Sequence, residues 1–491
     1  MESNTTVLLD VDSDWIEKAS SPLLILSCMG TLSSFFFQRV DSSLKVRCLY
    51  VFGFILSINF VVFWAGPIAI QGVFFKEVLA PYFRPVYNVL DKSIALRSFA
   101  TNYVYRDEKH VDYFATQVFF TLGFMANMGL VLYWQITYHH LPWWLIAVYN
   151  FQWVGFGGRA MGAAYVFAHR EGHNTMIYAK WIRYFLGNVF ENWIGLFYGG
   201  VPYNFSTAHN SLHHRLDASV GDTLYCWDLE RSSWTDFTFY ASRGCFHMSG
   251  FAAMRQFLQS KRKIDRNYYL PRLVKGLVLY WVVWPAVVLY SFRSVTFYFF
   301  IILQPFLCMT FFINLINWGF HAFLDDHESP TVESVTLVGS DDDYFGEDDH
   351  MAHHLYPSVF YTELEEHQKH QHAKWSLAKA SVFQGPDAAS FGLLVLCKGW
   401  AVLGKRYVDY SQSMKPSEIE AMLEIRTKRV ELPLESLLPD LDQKVNARKV
   451  EPEKDSGFVY ELTIEKLGQL QFFIAQQIET SLPPIKAMSM E

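Results

Sequence analysis

Nine histidines and one asparagine occur in four short groups whose residue types and spacing suit metal binding. The last group, GEDDHMAHHLYP over residues 346–357, holds three histidines within five positions. The groups that precede it along the chain are HREGHN, HNSLHH and NWGFH. The candidate ligands are His169, His173, His209, His213, His214, Asn317, His321, His350, His353 and His354.

The spacing within each group aims pairs of side chains at one point. Residues four apart lie on one face of a helix, as do the histidines of HREGH, the first two of HNSLH, and the asparagine and histidine of NWGFH. In each adjacent His–His pair, the second ring is rotated about 100° from the first. Such a pair points in two directions and suits two neighbouring metals. One zinc ion takes about four ligands, so nine imidazoles predict two ions with open positions.

Imidazole binds iron, zinc and copper alike, so the ligand type alone does not identify the metal. Acidic residues near the groups are candidates to accept the second N–H of a ligand ring and so orient it. A solvated surface charge is the alternative at each of these positions. The candidates are Glu171, Asp217, Asp222, Asp348 and Asp349.

Long apolar stretches place the histidine groups beside a membrane. Of the 491 residues 51% are hydrophobic and 18% are charged, against about 25% charged in soluble domains. A bilayer crossing takes about 20 helical residues. The qualifying stretches are 48–75, 113–138, 141–168 (interrupted by Arg159), 276–292 and 294–320, with 21–38 and 388–404 as weaker candidates. The sequence therefore predicts an integral membrane protein.

Short connections join these stretches into two helical hairpins, 113–138 with 141–168 and 276–292 with 294–320. The long polar segments that follow the hairpins must then lie on one side of the membrane. Every histidine group lies just beyond a predicted membrane exit on that side.

The distribution of basic residues predicts which side this is. Residues 76–110 contain six Lys or Arg, whereas the loop 139–142 contains none, so the positive-inside rule assigns the histidine groups to the cytosol. Segment 21–38 fits the rule only if it lies in the membrane interface. The N-terminus would then be lumenal and Asn4 a candidate glycan acceptor.

The predicted fold is all-α: a multi-pass membrane helical bundle of two transmembrane hairpins plus N-terminal segments, with a cytosolic helical cap that holds the metal site. Residues 1–110 form the N-terminal membrane segments and a cytosolic linker, 111–375 the catalytic domain, and 376–491 a cytosolic tail with amphipathic helices. Stretch 184–203 carries a single charge, Glu191, and predicts a helix lying in the membrane surface or packing on the bundle.

Other features narrow the classes of function. The six cysteines form no Cys-x-x-Cys pair, so neither a zinc ribbon nor a disulfide framework is predicted. The net charge is −7 without a basic stripe, which argues against nucleic acid as a partner. The acidic N-terminus lacks the basic region of a cleavable signal peptide. The remaining histidines are predicted to have other roles. Those predicted at the membrane interface are His110, His139 and His140, and those predicted to be structural are His247 and His327. A solvated helix face is predicted for His367, His370 and His372.

The four groups, in this order, resemble the membrane-bound fatty-acid desaturase and hydroxylase superfamily. HREGHN is similar to the first histidine box of sphingolipid-type desaturases, and HHLYP to the HHLFP of many fatty-acid desaturases. HNSLHH and NWGFH equally resemble elements of bacterial alkane hydroxylases. The resemblance covers roughly residues 110–375. It implies that the ten candidate ligands hold two irons at the cytosolic face, with O2 as co-substrate and a lipid or fatty acyl substrate. It also implies the endoplasmic reticulum, with a plastid left open.

The resemblance leaves the electron donor and the reaction open. The chain has no His-Pro dipeptide, so it lacks the haem motif of the cytochrome b5 domain found in front-end desaturases. A separate donor of the cytochrome b5 or ferredoxin type is therefore implied. Desaturation and hydroxylation share the first hydrogen abstraction, and HHLYP favours desaturation.

Two other classes of function stay open. One is a membrane zinc hydrolase, although HREGH is not His-Glu-x-x-His. The other is a metal transporter, whose histidines would lie within the bundle and line an ion path.

Overall fold

The computed structural model describes residues 80–153, 163–218, 221–325, 330–339, 345–429, 458–483 and 485. These residues are mostly helical, which confirms the predicted all-α class. Strands β1 Thr336–Val338 and β2 Val382–Gln384 pair in parallel, with Leu337 opposite Phe383. The predictions for 21–38, 48–75, Asn4, Arg159 and His327 fall outside the described residues.

Helices follow one another along the chain. The first are α1 Ala80–Lys92, α2 Ile94–Phe99, α3 Phe114–Tyr138, α4 Trp143–Phe151, α5 Ala163–His173, α6 Lys180–Phe185, α7 Val189–Asn192, α8 His214–Leu216 and α9 Trp234–Met248. Next come α10 Phe251–Gln259, α11 Leu270–Val278, α12 Trp284–Phe292, α13 Val295–Tyr298, α14 Gln304–Phe320 and α15 Pro330–Glu333. The last are α16 His350–Leu355, α17 Tyr361–Lys369, α18 His372–Ala378, α19 Ala388–Leu396, α20 Trp400–Arg406, α21 Pro416–Arg426 and α22 Phe458–Ser481. Turns of 3₁₀ or π type extend several of them, at Ala100–Val104, Glu108–Tyr113, Ile194–Phe197, Phe205–His213, Asp265–Tyr269, Leu279–Val283 and Phe299–Leu303.

Among the described residues, three continuous helical stretches are long and apolar enough to cross a membrane. They are Glu108–Tyr138, Asp265–Phe292 and Val295–Phe320, of 31, 28 and 26 residues. They contain nearly all of three spans predicted from the sequence. In the predicted span 141–168, α4 ends at Phe151 and α5 begins at Ala163. Residues 154–162, between these helices, are outside the described part of the chain.

The weaker candidate span 388–404 is not one helix. Lys398 has a φ of +53°, so the chain turns between α19 and α20. With nine and seven residues, these helices extend about 14 and 11 Å, far less than the roughly 30 Å of a hydrocarbon core.

Stretch 184–203 does not form the single helix that was predicted, and of its two predicted roles the structure shows packing on the bundle. The stretch is broken into the end of α6, the four-residue α7, a 3₁₀ turn and a loop. Gly187 and Gly199 interrupt it, with φ of +67° and +98°. Glu191, the single charge of this stretch, is buried. The adjacent Phe190 packs on Phe167, with ring centroids 4.9 Å apart, so the stretch packs into the bundle.

The chain divides into two compact units. Unit 1 comprises residues 1–206 and 248–311, and unit 2 comprises residues 207–247 and 312–491. In unit 1, aromatic side chains fill the core around α3. Phe120 lies 5.8 Å from Trp153 and 6.0 Å from Phe190, measured between ring centroids.

Unit 2 is built around a buried guanidinium group. Arg231 is 0% exposed and donates hydrogen bonds to the carbonyl oxygens of Leu229 (2.7 Å), Arg426 (2.8 Å) and Ala322 (3.2 Å). The indole of Trp318 donates to the carbonyl of Arg231 at 2.9 Å. Burial lowers the pKa of Arg231 to about 10, which leaves it charged at neutral pH. These bonds join the end of α21 to α14 and the segment that follows it.

Candidate metal centre

Unit 1 carries the first histidine group in the last turn of α5. His169 and His173 are one helical turn apart, and their Nε2 atoms are 3.1 Å from each other. Gly172, between them, lets α5 pack closely against Phe205. A Cβ at position 172 would lie only 2.5 Å from the Cβ of Phe205. Phe205 in turn lies 5.9 Å from the ring of His169. The helical spacing thus brings both imidazoles to one point.

Glu171 was a candidate to orient one of these rings, and the structure gives its carboxylate a different role. It is fully buried and accepts hydrogen bonds from the hydroxyl of Tyr178 at 2.6 Å and from the backbone N–H groups of Val189, Phe190 and Glu191 at 2.8–3.1 Å. Burial raises the pKa of Glu171, while these donors act to lower it because they stabilise the ionised carboxylate. The carboxylate therefore anchors α5 to the start of α7.

The histidines of unit 2 form two sets, and each adjacent pair is divided between them. The first set is His213, His321, His350 and His354, and the second is His209, His214 and His353. Within each set the candidate nitrogen atoms lie within 4.8 Å of one another. In the second set, the Nε2 atoms of His209 and His214 are 2.9 Å apart. The rings of the pair 213–214 are inclined at 72°, and those of the pair 353–354 at 90°.

Oxygen atoms orient three rings of the first set. Asp222 Oδ2 lies 2.8 Å from His213 Nδ1, and Asp217 Oδ1 lies 3.0 Å from His354 Nδ1. The ring of His321 donates from Nδ1 to the carbonyl oxygen of Glu333 at 3.1 Å. A carbonyl or carboxylate oxygen only accepts, so Nδ1 carries the proton in the rings of His213 and His321. The Nε2 lone pair is then available to a metal, the arrangement common around metal-bound histidines.

The Nε2 atoms of this set fit a metal ion. Those of His213 and His354 are buried without a hydrogen-bond partner among the described residues. Those of His321 and His350 are 3.0 Å apart. Two nitrogens bound to one ion at about 2.1 Å lie roughly 3.0–3.4 Å apart, so this separation suits shared coordination. Buried, oriented and unpaired nitrogens together make the donor set suitable for a metal.

The electrostatics favour the neutral ring at His321 and His354 and act the other way at His213. Burial lowers the pKa of His321 to about 3 and also lowers that of His354, against the opposing charge of Asp217. Burial also acts to lower the pKa of His213, but the carboxylate of Asp222 raises it overall. Burial acts to raise the pKa of Asp222, yet His213 holds it down at about 2. This carboxylate is therefore ionised and acts as an acceptor.

The other candidates near the sets have different surroundings. The side-chain amide of Asn317 donates a hydrogen bond to the hydroxyl of Tyr240. Asp349 accepts from the side-chain amide of Gln368 at 2.6 Å, and Asp348 is buried. Tyr178 and Tyr240 were not predicted, because no spacing signal in the sequence distinguishes them from other tyrosines.

The remaining histidines mostly lie as predicted. Among the described ones, His139, His140, His367 and His370 are exposed, and His372 is partly exposed against the ring of Tyr410. His247 is buried and its Nδ1 lies 2.7 Å from the hydroxyl of Thr223, as expected of a structural residue. His110 differs from the interfacial prediction because it is buried, with its Nε2 3.4 Å from the side-chain amide of Asn174.

Comparison with known proteins assigns the family. The sequence model of the fatty acid desaturase family matches residues 141–385, a range that contains all four histidine groups. Neither curated proteins nor solved structures gave a match. Together with the three apolar helices, the family match makes the chain an integral membrane oxidoreductase of the class that acts on fatty acyl chains. The chain belongs to the fatty acid desaturase and hydroxylase superfamily.

Proposed function

We propose that the protein is an O2-dependent di-iron enzyme that introduces a double bond into a fatty acyl or related lipid chain. The observation that carries this proposal is the division of the adjacent histidines. His213 and His214 belong to different sets, and so do His353 and His354. A single ion would use one of these sets, whereas two buried sets side by side in one unit suit two ions.

The proposed ligands follow from the sets and from the order of the histidine groups. The first set of unit 2 would hold one iron and the second set the other. From the sequence resemblance, we propose that His169 and His173 complete the ligands and that Asn317 acts beside His321.

The protein's own contribution is to hold and orient these rings. When bound, two irons supply reductive activation of O2 and the removal of hydrogen from an unactivated C–H bond. Asp222 and the carbonyl of Glu333 accept the Nδ1 protons of His213 and His321 and so keep their Nε2 atoms turned toward the ligand set. The carboxylate of Asp217 lies 3.0 Å from Nδ1 of His354. Burial of His213, His321 and the neighbouring rings keeps bulk water away from them.

The surroundings of the centre are also part of the proposal. Residues 76–110 contain six Lys or Arg and residues 139–142 contain none, which supports a cytosolic site. The resemblance to fatty-acid desaturases supports the endoplasmic reticulum as the compartment. Because the chain lacks a His-Pro haem motif, the electrons would come from a separate donor of the cytochrome b5 or ferredoxin type.

Metal content and lipid products, measured on the same iron-supplied preparation, test the proposal. We expect about two irons per chain, one for each histidine set, and a new double bond in extracted acyl chains. An alcohol product would assign hydroxylation, the second candidate, which the likeness of HNSLHH and NWGFH to alkane hydroxylases favours. A single zinc with little iron would contradict the proposal and favour a membrane hydrolase.

Replacing His353 by alanine tests the site itself. His353 is 2% exposed and belongs to the second set, so the variant should lose iron and turnover while still inserting into the membrane. His370→Ala is the matched control, since its side chain is 75% exposed and lies outside both sets. Full activity in His353→Ala would show that the ligand assignment is wrong.

A further inference from the structure

We propose that a basic segment at the start of the apolar helix Asp265–Phe292 binds the headgroups of anionic phospholipids. The basic segment is SKRKIDRNYYLPRLVK, residues 260–275, which contains six basic residues and one acidic residue. All six basic side chains are exposed. They are Lys261, Arg262, Lys263, Arg266, Arg272 and Lys275.

The one acidic residue is turned away from solvent. Asp265 is 1% exposed, and its Oδ2 accepts a hydrogen bond from the hydroxyl of Ser260 at 2.6 Å. Its Oδ1 lies 3.5 Å from the guanidinium of Arg262. The carboxylate thus fixes the turn that leads into the helix, and the outer surface of the basic segment is left with cationic groups.

Tyrosine rings lie beneath two of the cations nearest the apolar part of the helix. The guanidinium of Arg272 lies 4.5 Å from the ring centroid of Tyr268, and the Nζ of Lys275 lies 5.5 Å from that of Tyr203. A cation over an aromatic face keeps its full charge and remains able to bind a phosphate. Tyrosine is also enriched where a membrane helix meets the headgroups.

The sequence that follows sets the position of the basic segment relative to the bilayer. After Lys275 no charged residue occurs until Arg293, and residues 276–292 extend about 25 Å as a helix, close to the thickness of a hydrocarbon core. Val278, Val282 and Val287 are 48%, 61% and 49% exposed, as side chains that face lipid are. Arg272 and Lys275 therefore lie at headgroup level.

The other four cations precede Arg272 and Lys275 in the chain and lie further from the apolar part of the helix, but within reach of the same surface. Arg266 precedes Lys275 by about 14 Å along the helix axis. Long basic side chains extend several ångströms toward phosphates, and the field of an anionic surface decays over a Debye length of about 8 Å. The continuity of this surface with the lipid-facing helix favours the membrane, rather than a soluble acidic protein, as its occupant.

Lipid selectivity of the full-length protein tests the proposal. The protein in dodecyl maltoside is equilibrated with equal amounts of phosphatidylserine and phosphatidylcholine, and the retained lipids are counted by native mass spectrometry. The test variant is K261Q/R262Q/K263Q/R266Q. The matched control, K374Q/K379Q/K398Q/K415Q, removes four exposed lysines of unit 2.

Each basic residue near an anionic surface changes partitioning by about fivefold. We therefore expect the ratio of bound phosphatidylserine to phosphatidylcholine to fall at least about tenfold in the test variant and to stay near the wild-type value in the control. An unchanged ratio would overturn the proposal and leave the basic segment as a topology signal. An unchanged ratio with weaker binding of an acidic soluble protein would overturn it in favour of a protein partner.

Two further measurements apply if the test variant does not fold. The charge-retaining variant R262K/R266K should keep the preference for phosphatidylserine. In the wild-type protein, about 1 M salt shortens the Debye length to roughly 3 Å and should abolish that preference. A preference that survives this salt concentration would contradict binding through the basic segment.

Discussion

The two units use carboxylates differently around their histidines. In unit 1, Glu171 lies between His169 and His173 but binds the hydroxyl of Tyr178 and the backbone N–H groups at the start of α7. In unit 2, Asp222 and Asp217 contact imidazole rings directly. The carboxylate therefore positions a helix in unit 1 and individual rings in unit 2.

The source of the ligands accounts for this difference. His169 and His173 lie one turn apart on a single helix, so the helix itself aims both rings and only its own position has to be fixed. The histidines of unit 2 come from separate segments: the π-helix Phe205–His213, α8, the end of α14 and α16. No single helix aims them all, and three of the seven rings have an oxygen atom within 3.1 Å of Nδ1: those of His213, His321 and His354.

Among the acidic residues, the largest effect on iron is expected from Asp222→Asn. Asp222 accepts from the ring of His213, from the N–H of Ala218 at 2.9 Å and from the N–H of Leu224 at 3.0 Å. An asparagine would turn an NH2 group toward one of these donors, and the ring would lose its orientation. Loss of such a partner weakens metal binding by about 10–100-fold. The affinity for Fe²⁺, measured by competition with a chelator, should fall by this factor.

Asp228→Asn is the control for this experiment. The side chain of Asp228 is 42% exposed and pairs with Arg243 at 2.6 Å, away from the imidazoles. It should bind iron like the wild type. If Asp222→Asn also bound iron with wild-type affinity, the carboxylate would not be orienting a ligand, and the contrast between the units would fail.

Glu171→Gln should affect stability more than iron binding. Both carboxylate oxygens accept hydrogen bonds, and an amide would replace one of them with an NH2 group facing the N–H of Glu191 or Phe190. A buried polar group left unpaired costs about 1–3 kcal/mol, so the melting temperature in detergent should fall. Iron affinity should change by much less than in Asp222→Asn, because the carboxylate touches neither imidazole.

The exposed Glu366→Gln serves as the control for Glu171→Gln and should melt like the wild type. A loss of iron in Glu171→Gln as large as that in Asp222→Asn, without loss of stability, would show that both units use their acids in the same way.

The sequence predicted the helical class and the membrane helices because these depend on composition and on local spacing. It predicted that an adjacent His–His pair points in two directions for the same reason, since the angle between neighbouring residues is a local property of a helix. The assignment of all ten residues as ligands stays a prediction.

What the sequence could not supply depends on tertiary contacts. Glu171, Asp217 and Asp222 looked equivalent as acids close to histidines, and only the packing of α5 on α7 directs Glu171 to the backbone. The break in 184–203 likewise depends on close packing: a Cβ on Gly199 would lie 2.4 Å from the ring of Phe306. Hydropathy carries no information about such an approach.

The smallest expected effect comes from Tyr178→Phe, which tests how the anchor in unit 1 is shared. The Tyr178 hydroxyl donates to Glu171 and accepts from the side-chain amide of Gln117 at 3.0 Å, while Gln117 accepts from Tyr105 at 2.6 Å. The variant removes one donor from Glu171 but leaves the three backbone N–H groups, so the cost should be about 1 kcal/mol. Its melting temperature should therefore fall less than that of Glu171→Gln, with iron content unchanged. If Tyr178→Phe melted as low as Glu171→Gln, the hydroxyl rather than the start of α7 would be the main anchor of α5. The position of α5 in unit 1 would then be fixed by hydrogen bonds between side chains, as the positions of the imidazole rings are in unit 2.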